Sequence, residues 1–189
     1  MSKKILVLGN SDISKGLFKG SKNHIVTFKG RPEYDFSSQG DCDKIVSESD
    51  HDVVILTYGL LKSKDVWQSL TTNVTSSIYL IQKFYEQMIQ GQIIVVSSAA
   101  VNWVSYPGIP NDRLIYNHTK ETVSKYCEHM NRKNADNEKN VSVQVYEPNS
   151  FKSKMNPTGK ADISIVTGEL EHLVDHPRIS VLRGMNRNL

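Results

Sequence analysis

Tyr116 and Lys120 stand four residues apart in a stretch, Leu114 to Arg132, whose pattern predicts a helix. Positions i and i+4 share one helix face, so the phenol and the ammonium can point into one site. A proton-bearing phenol beside a cation that tunes its acidity is equipment for general acid–base chemistry. Two unrelated surface residues would show the same spacing. Upstream, the apolar run Ile93-Ile94-Val95-Val96 ends in two hydroxyls, Ser97 and Ser98, just before the segment that leads to Tyr116. Asn73 falls in the middle of another helical stretch. An asparagine there is unfavourable, because its side chain competes for backbone hydrogen bonds, and this hints at a non-local role. The plainer alternative is an exposed helix residue.

A second group lies at the start of the chain. The apolar run Ile5 to Leu8 leads into Gly9-Asn10-Ser11-Asp12-Ile13-Ser14-Lys15-Gly16. A tight turn of small residues between strand and helix would aim backbone N–H groups at a pyrophosphate. Measured against Gly-x-Gly-x-x-Gly, only Gly9 matches, and Ser11 and Ser14 occupy the other two places. Serine is small and can hydrogen-bond a phosphate. An ordinary strand-to-helix turn would look much the same.

These residues need a scaffold, and the chain supplies an alternating one. Strands are predicted at Ile5–Leu8, His24–Phe28, Val53–Leu56, Ile93–Val96, Val141–Tyr146 and Ile179–Leu182, with a short extended piece at Tyr34–Phe36. Helices are predicted at Ser14–Ser21, Asp41–Ser49, Asp65–Gln90, Leu114–Arg132 and Ala161–Val174. In the longest, Val66, Leu70, Val74, Ile78, Ile81 and Phe84 recur every three or four residues and should share one face, and Gly91 should end it. Such alternation predicts a Rossmann-type, doubly wound parallel sheet in a three-layer α/β/α sandwich. Ligands of such sheets sit beyond the carboxyl ends of the strands, where every motif above falls.

The bulk numbers fit one domain over residues 1–189, of which 38 % are hydrophobic and 23 % charged. A net charge of +3 is too small and too scattered for a nucleic-acid surface. The basic stretch Arg183 to Arg187 reads as a solvated tail. No run approaches the roughly 20 apolar residues of a membrane span. Met1-Ser2-Lys3-Lys4 leads into too short an apolar run for a secretory signal, so a cytoplasmic protein is expected. Cys42 and Cys127 lack metal-ligand spacing and read as free thiols; no metal site is expected.

Together the residues resemble the short-chain dehydrogenase/reductase family, from about Lys4 to Met155. Asn73, Ser98, Tyr116 and Lys120 match the family's catalytic tetrad in order and context. Tyr34-Asp35-Phe36-Ser37 resembles its Asp-x-Thr/Ser segment, whose acid contacts the adenine ring. Leu56-Thr57-Tyr58-Gly59 stands where the family has Asn-Asn-Ala-Gly. The stretch Pro148-Asn149-Ser150-Phe151-Lys152-Ser153-Lys154-Met155 resembles Pro-Gly-x-Val-x-Thr-x-Met, which would set Ser153 on the cofactor. The chain also departs from the pattern. Its glycine turn is one residue short, and Arg31 to Asp35 leaves no room for the helix usual between the second and third strands. The interval from Ser98 to Tyr116 is long, which keeps Ser97 and Ser105 as alternatives for the serine. Asn149 replaces a glycine, and the substrate-covering region after Met155 is reduced.

The resemblance implies hydride transfer between a nicotinamide dinucleotide and a small carbonyl or alcohol substrate. Tyr116 would be the general acid/base, Lys120 would favour the phenolate and bond the nicotinamide ribose, and Ser98 would hold the substrate oxygen. Asn73 would support a water linking Lys120 to solvent. Gly9 to Ile13, Asp35, Phe36, Gly59, Pro148 and Ser150 would line the cofactor. Near the end of the second strand a 2′-OH is read by an acid and a 2′-phosphate by a cation. Lys29 and Arg31 stand there, with Glu33 the nearest acid, which favours NADP over NAD. Two other readings remain: a non-catalytic dinucleotide sensor or regulator, and a relative that modifies sugar nucleotides. The substrate pocket would come from Trp103 to Arg113 and Asn156 to Lys160. Pairing of the two long helices, with Trp67, Tyr85 and Tyr126 facing outward, suggests a homodimer or homotetramer.

Overall fold

The computed structural model describes residues 2–19, 23–61, 65–103, 108–135, 139–154, 156–177 and 181–183. The chain runs β1 (Lys4–Leu8), α1 (Asp12–Gly16), β2 (Ile25–Lys29), α2 (Gln39–Ser47), β3 (Val53–Leu56) and α3 (Val66–Leu70). A π-turn (Thr71–Thr75) leads into α4 (Ser76–Gln87), β4 (Gln90–Val96) and a 3₁₀ turn (Ala99–Trp103). Then follow α5 (Asn111–Ala135), β5 (Asn140–Glu147), α6 (Ile163–Asp175) and β6 (Val181–Arg183).

All six strands are parallel and lie in the order β2-β1-β3-β4-β5-β6. Residues Ile5 to Leu8 and Val53 to Leu56 are buried throughout, because helices cover both faces of the sheet. On one face Ile5, Val7, Ile55, Ile94, Val96 and Tyr146 pack with Ile13 of α1, with Leu17 just after it, and with Val166, Leu170 and Leu173 of α6. On the other, Leu6, Leu8, Val54, Ile93, Val95, Val143 and Val145 pack with Cys42, Ile45, Leu80, Phe84, Val123 and Cys127 of α2, α4 and α5. The period-2 alternation of each strand thus divides two helical layers, the Rossmann-type sandwich that the sequence predicts.

The strand order reverses at β1. The chain leaves β1 for β2 on one side and returns to β3 on the other, which opens a crevice between the ends of β1 and β3. Gly9 makes that crevice narrow at its base. Its φ is +123°, and a Cβ would stand 2.7 Å from Thr57 Oγ1 and 3.0 Å from the Tyr58 nitrogen. Only glycine tolerates both the backbone angle and the approach.

The structure moves several boundaries. The helix expected over Asp65–Gln90 is interrupted by the π-turn and stops at Gln87, and Gln90 and Gly91 pair with Asn140 and Val141 inside β4 instead of ending the helix. The π-turn rotates the register of the apolar stripe. Ile81 and Phe84 are buried, Val74 and Ile78 are half-buried, and Val66 and Leu70 are exposed. The segment Tyr34–Phe36 forms no strand; it is a turn anchored by buried Phe36, which stacks on Tyr58 with ring centroids 4.0 Å apart. The first helix runs Asp12–Gly16 rather than from Ser14, because the Ser11 side chain caps it. Ser38 and Asp162 cap α2 and α6 and set their starts at Gln39 and Ile163. Tyr85, expected to face outward, is buried in the core, and Tyr126 is partly buried against it. Ser21 and Ile179 lie outside the described residues. Among those described, no helix is long and apolar enough to cross a membrane. Burial pushes the Cys42 and Cys127 thiols up, to about 11 and about 12, so both remain protonated.

Candidate functional site

Helix α5 runs back against the sheet, so its first turns lie over the carboxyl ends of β3 and β4. There the Lys120 ammonium is buried. It donates to the Val96 carbonyl at 2.9 Å and more weakly to the Tyr58 carbonyl at 3.4 Å. Burial disfavours the charged form and lowers the Lys120 pKa to about 8. Tyr116, one turn earlier, places its ring centroid 5.8 Å from that ammonium and hydrogen-bonds Ser98. Burial outweighs that bond and pushes the phenol up to about 12. The Ser98 hydroxyl also accepts from the Ala100 N–H at 3.1 Å, where the chain turns out of β4.

Asn73 completes the group from the other side. The π-turn widens the helix at this residue and turns its amide inward. Oδ1 accepts from the Leu60 N–H at 2.7 Å, and Nδ2 donates to the Leu60 carbonyl at 2.9 Å and to Thr119 Oγ1 at 3.2 Å. The asparagine therefore has the non-local partners that its unfavourable position suggested. Gly59 fits beneath: a Cβ there would lie 3.2 Å from Lys120 Nζ and 3.5 Å from Asn73 Oδ1. Sequence reasoning missed Thr119 and the carbonyls of Tyr58 and Val96. Backbone acceptors leave no sequence signal.

The three candidate serines separate. Ser97 is buried, donates to the Lys120 carbonyl at 3.3 Å and receives the Ser124 hydroxyl at 2.7 Å, so it ties β4 to α5 and faces away from Tyr116. Ser98 is the hydroxyl beside the phenol. Ser105 lies outside the described residues.

Of the remaining expected residues, Gly9, Asn10, Lys29 and Arg31 line an open cleft of about 400 Å³ at the ends of β1 and β2, together with Ser14, Lys15 and Phe28 among others. Asn10 donates to the Arg31 carbonyl at 3.1 Å. Gly30 packs against the Gly9 turn, where a Cβ would stand 3.0 Å from the Gly9 carbonyl carbon. Arg31 bridges Asp35 at 3.0 Å on the surface. The Ser37 N–H and then Arg31 hold the Asp35 carboxyl below its ordinary value. Lys29 is not free to read a ligand: Glu48 binds its ammonium at 2.5 Å, over the Tyr34 ring. Ser11 spends its hydroxyl on the Ser14 N–H at 3.1 Å, and Ile13 is buried in the core. The Asp12 carboxylate accepts the Lys154 N–H at 2.7 Å. Pro148 offers its carbonyl to the Ala99 N–H at 3.0 Å, and Ser150 and Ser153 bond Asn156 within their own loop.

A profile described as short chain dehydrogenase matches residues 52–163. No curated protein sequence matches the chain. Solved structures share the fold at low identity. A short-chain dehydrogenase/reductase from Serratia marcescens has a TM-score of 0.80 at 16 % identity, covering 96 % of either chain. A 3-alpha-hydroxysteroid dehydrogenase from a Pseudomonas species, complexed with NADH, scores 0.77 at 14 % identity and 95 % coverage of both. A short chain dehydrogenase from Burkholderia cenocepacia, in complex with NADP, scores 0.75 at 11 % identity, covering 96 % of this chain and 87 % of that one.

The buried ammonium has a measurable consequence. Between pH 8 and 10.5 the unfolded chain keeps a lysine proton that folded Lys120 releases. Folding is penalised in full below that window, and the penalty fades as pH rises through it. Lys120→Met should therefore raise the unfolding free energy at neutral pH by about 1–3 kcal/mol. The gain should shrink as pH climbs from 8 towards 10.5. Urea denaturation of both proteins across that range checks this, and a gain independent of pH would refute it.

Proposed function

The chain belongs to the short-chain dehydrogenase family, and on that premise we propose that it is a nicotinamide-dinucleotide-dependent oxidoreductase acting on a small carbonyl or alcohol. The observation that carries this reading is the convergence of Ser98, Tyr116, Lys120 and Asn73 beside Gly59, at the edge of the crevice where the strand order reverses.

The residues fit such a cofactor. Lys120 has three N–H donors and two carbonyl acceptors, one of them distant, so a donor remains for a ribose hydroxyl. The cleft beside Gly9 and Gly30 has room for the adenosine half. The cofactor, when bound, supplies or accepts the hydride. In reduction, Tyr116 gives its proton to the substrate oxygen while the Ser98 hydroxyl holds that oxygen in place. A phenol at about 12 is too weak an acid for efficient exchange near neutral pH. The Ser98 hydrogen bond already acts to lower its pKa, and a closer approach of the Lys120 charge would lower it further. Asn73 fixes the Leu60 backbone and Thr119, and would orient a water that returns a proton to Lys120.

Arg31 is the residue proposed to read a 2′-phosphate, releasing Asp35 to do so, which favours NADP while leaving NAD as the alternative. One observation favours a second reading, a non-catalytic dinucleotide sensor. Ser11 caps its own helix, and Asp12 sets a carboxylate at the turn. We also propose one domain that self-assembles through α3, α4 and α5. Trp67 is 78 % exposed beside exposed Val66 and Leu70. Sedimentation at micromolar protein should give a dimer or tetramer, and Trp67→Glu should reduce the mass; a monomeric parent would refute this.

The enzyme reading turns on Tyr116. Tyr116→Phe removes one hydroxyl and keeps the ring, so it should bind NADPH nearly normally and lose about 10²–10⁴ in turnover. Lys120→Ala should lose both binding and turnover, because it forfeits the ribose contact as well as the charge. Cofactor titrations with NADPH and NADH, followed by a carbonyl and alcohol screen, decide the matter. Full activity in Tyr116→Phe would reject the assignment. Tight cofactor binding without turnover of any substrate would establish the sensor.

A further inference from the structure

We propose that Lys152 and Lys154, on the loop after β5, hold the diphosphate of the dinucleotide; the assignment rests on the cofactor reading above and adds the residues that grip its centre. The two ends of the ligand fix where its middle must pass. The adenosine half fits the cleft beside Gly9, Gly30 and Arg31, and the nicotinamide half belongs beside Lys120 and Tyr116. Between them the diphosphate crosses residues 10–15.

That crossing is poorly furnished on its own side. The Gly9 N–H is spent on the Lys29 carbonyl at 2.8 Å, and the Ser14 N–H on Ser11. Asp12 adds a negative charge where two more arrive. Helix α1 has only five residues and so little dipole to offset it. Lysine at Lys29 is committed to Glu48, and Arg31 to Asp35.

The loop facing the crossing has the opposite character. Residues 148–161 contain Lys152, Lys154 and Lys160 and no acidic residue. All three lysines are exposed, and none has an acidic partner among the described residues. The loop is also built to hold its shape. Lys152 N–H bonds the Ala161 carbonyl at 2.9 Å, and Lys160 N–H bonds the Ser150 carbonyl at 3.1 Å. A Cβ at Gly159 would meet the Phe151 oxygen at 1.9 Å, so only glycine lets the two limbs close. Asp12 then docks the loop on the turn through the Lys154 N–H, at 2.7 Å. The carboxylate that repels a diphosphate is the same group that brings the lysines to it. A weakened glycine turn is thereby compensated by cations from a neighbouring loop.

The test is equilibrium titration of the full chain with NADPH, ADP and adenosine 2′-monophosphate, which lacks the diphosphate. The double variant K152Q/K154Q should bind NADPH and ADP roughly tenfold to a hundredfold more weakly, the range for charged hydrogen bonds. Its affinity for adenosine 2′-monophosphate should stay unchanged, and its NADPH affinity should depend less on salt. K83Q, a charge loss on α4 far from the cleft, should bind all three as the parent does. Unchanged NADPH binding by K152Q/K154Q, or an equal loss for adenosine 2′-monophosphate, overturns the lysine assignment alone. A parent protein that binds neither NADPH nor NADH overturns the cofactor reading and this assignment together.

Discussion

The burial of one ammonium, that of Lys120, governs how the rest of the site is built. A lysine out of water is expensive to keep charged, and among the described residues its ammonium is met by backbone carbonyls at the ends of β3 and β4 and by no carboxylate. Carbonyl oxygens are strong acceptors but not counter-ions, so the charge stays only partly compensated and the pKa falls to about 8. A carboxylate partner would have stabilised the ammonium and would also have fixed it as a permanent cation. Carbonyl partners leave an amine that gains or loses a proton within reach of neutral pH, which suits a proton-transfer role and is a poor choice for a purely structural residue.

Holding that amine requires three elements to agree. Gly59 removes a side chain from the space the ammonium occupies. The π-turn brings Asn73 inward, where its amide closes a two-bond clamp on Leu60 and reaches Thr119, the residue before Lys120. Ser97 and Ser124 pin β4 to α5 one turn further along. The position of Lys120 is thus set by the π-turn between α3 and α4, by β4 and by α5 together. A π-turn costs regular helix hydrogen bonding, and its presence at this residue is repaid by the clamp.

The strands and the layer arrangement were legible in the sequence because burial on both faces writes continuous apolar runs such as Val53-Val54-Ile55-Leu56. Tyr116, Lys120 and Asn73 were legible because each is a polar residue set at a defined helical spacing or in an ill-suited place. What escaped were features with no side-chain signature. The π-turn keeps the residue types of an α-helix and shifts only its register, so the stripe beginning at Val66 and Leu70 read as core although both are exposed. The commitment of Lys29 to Glu48 depends on α2 lying against the end of β2, which no local pattern records. Ser97 and Ser98 are alike in sequence, and strand alternation alone sends one hydroxyl into α5 and the other towards the phenol.

The two halves of the crevice have been treated differently by the sequence, and the difference is physical. On the side of Lys120 the Asn73 amide and the Ser97 hydroxyl are each held by more than one contact, so replacing either would leave a buried donor or acceptor unpaired at a cost of roughly 1–3 kcal/mol. On the side of the Gly9 turn the Gly9 and Ser14 N–H groups bond the Lys29 carbonyl and the Ser11 hydroxyl, and Asp12 sets a carboxylate beside them. A turn whose own donors are taken and which carries a carboxylate needs positive charge from a neighbouring element if it is to hold an anion. The loop after β5 carries lysines beside that turn, is closed on itself by main-chain bonds and is fastened to the turn through the Asp12 carboxylate. The Lys120 side of the crevice is thus fixed by buried hydrogen bonds, whereas an anion at the Gly9 turn would depend on charge brought by the loop after β5.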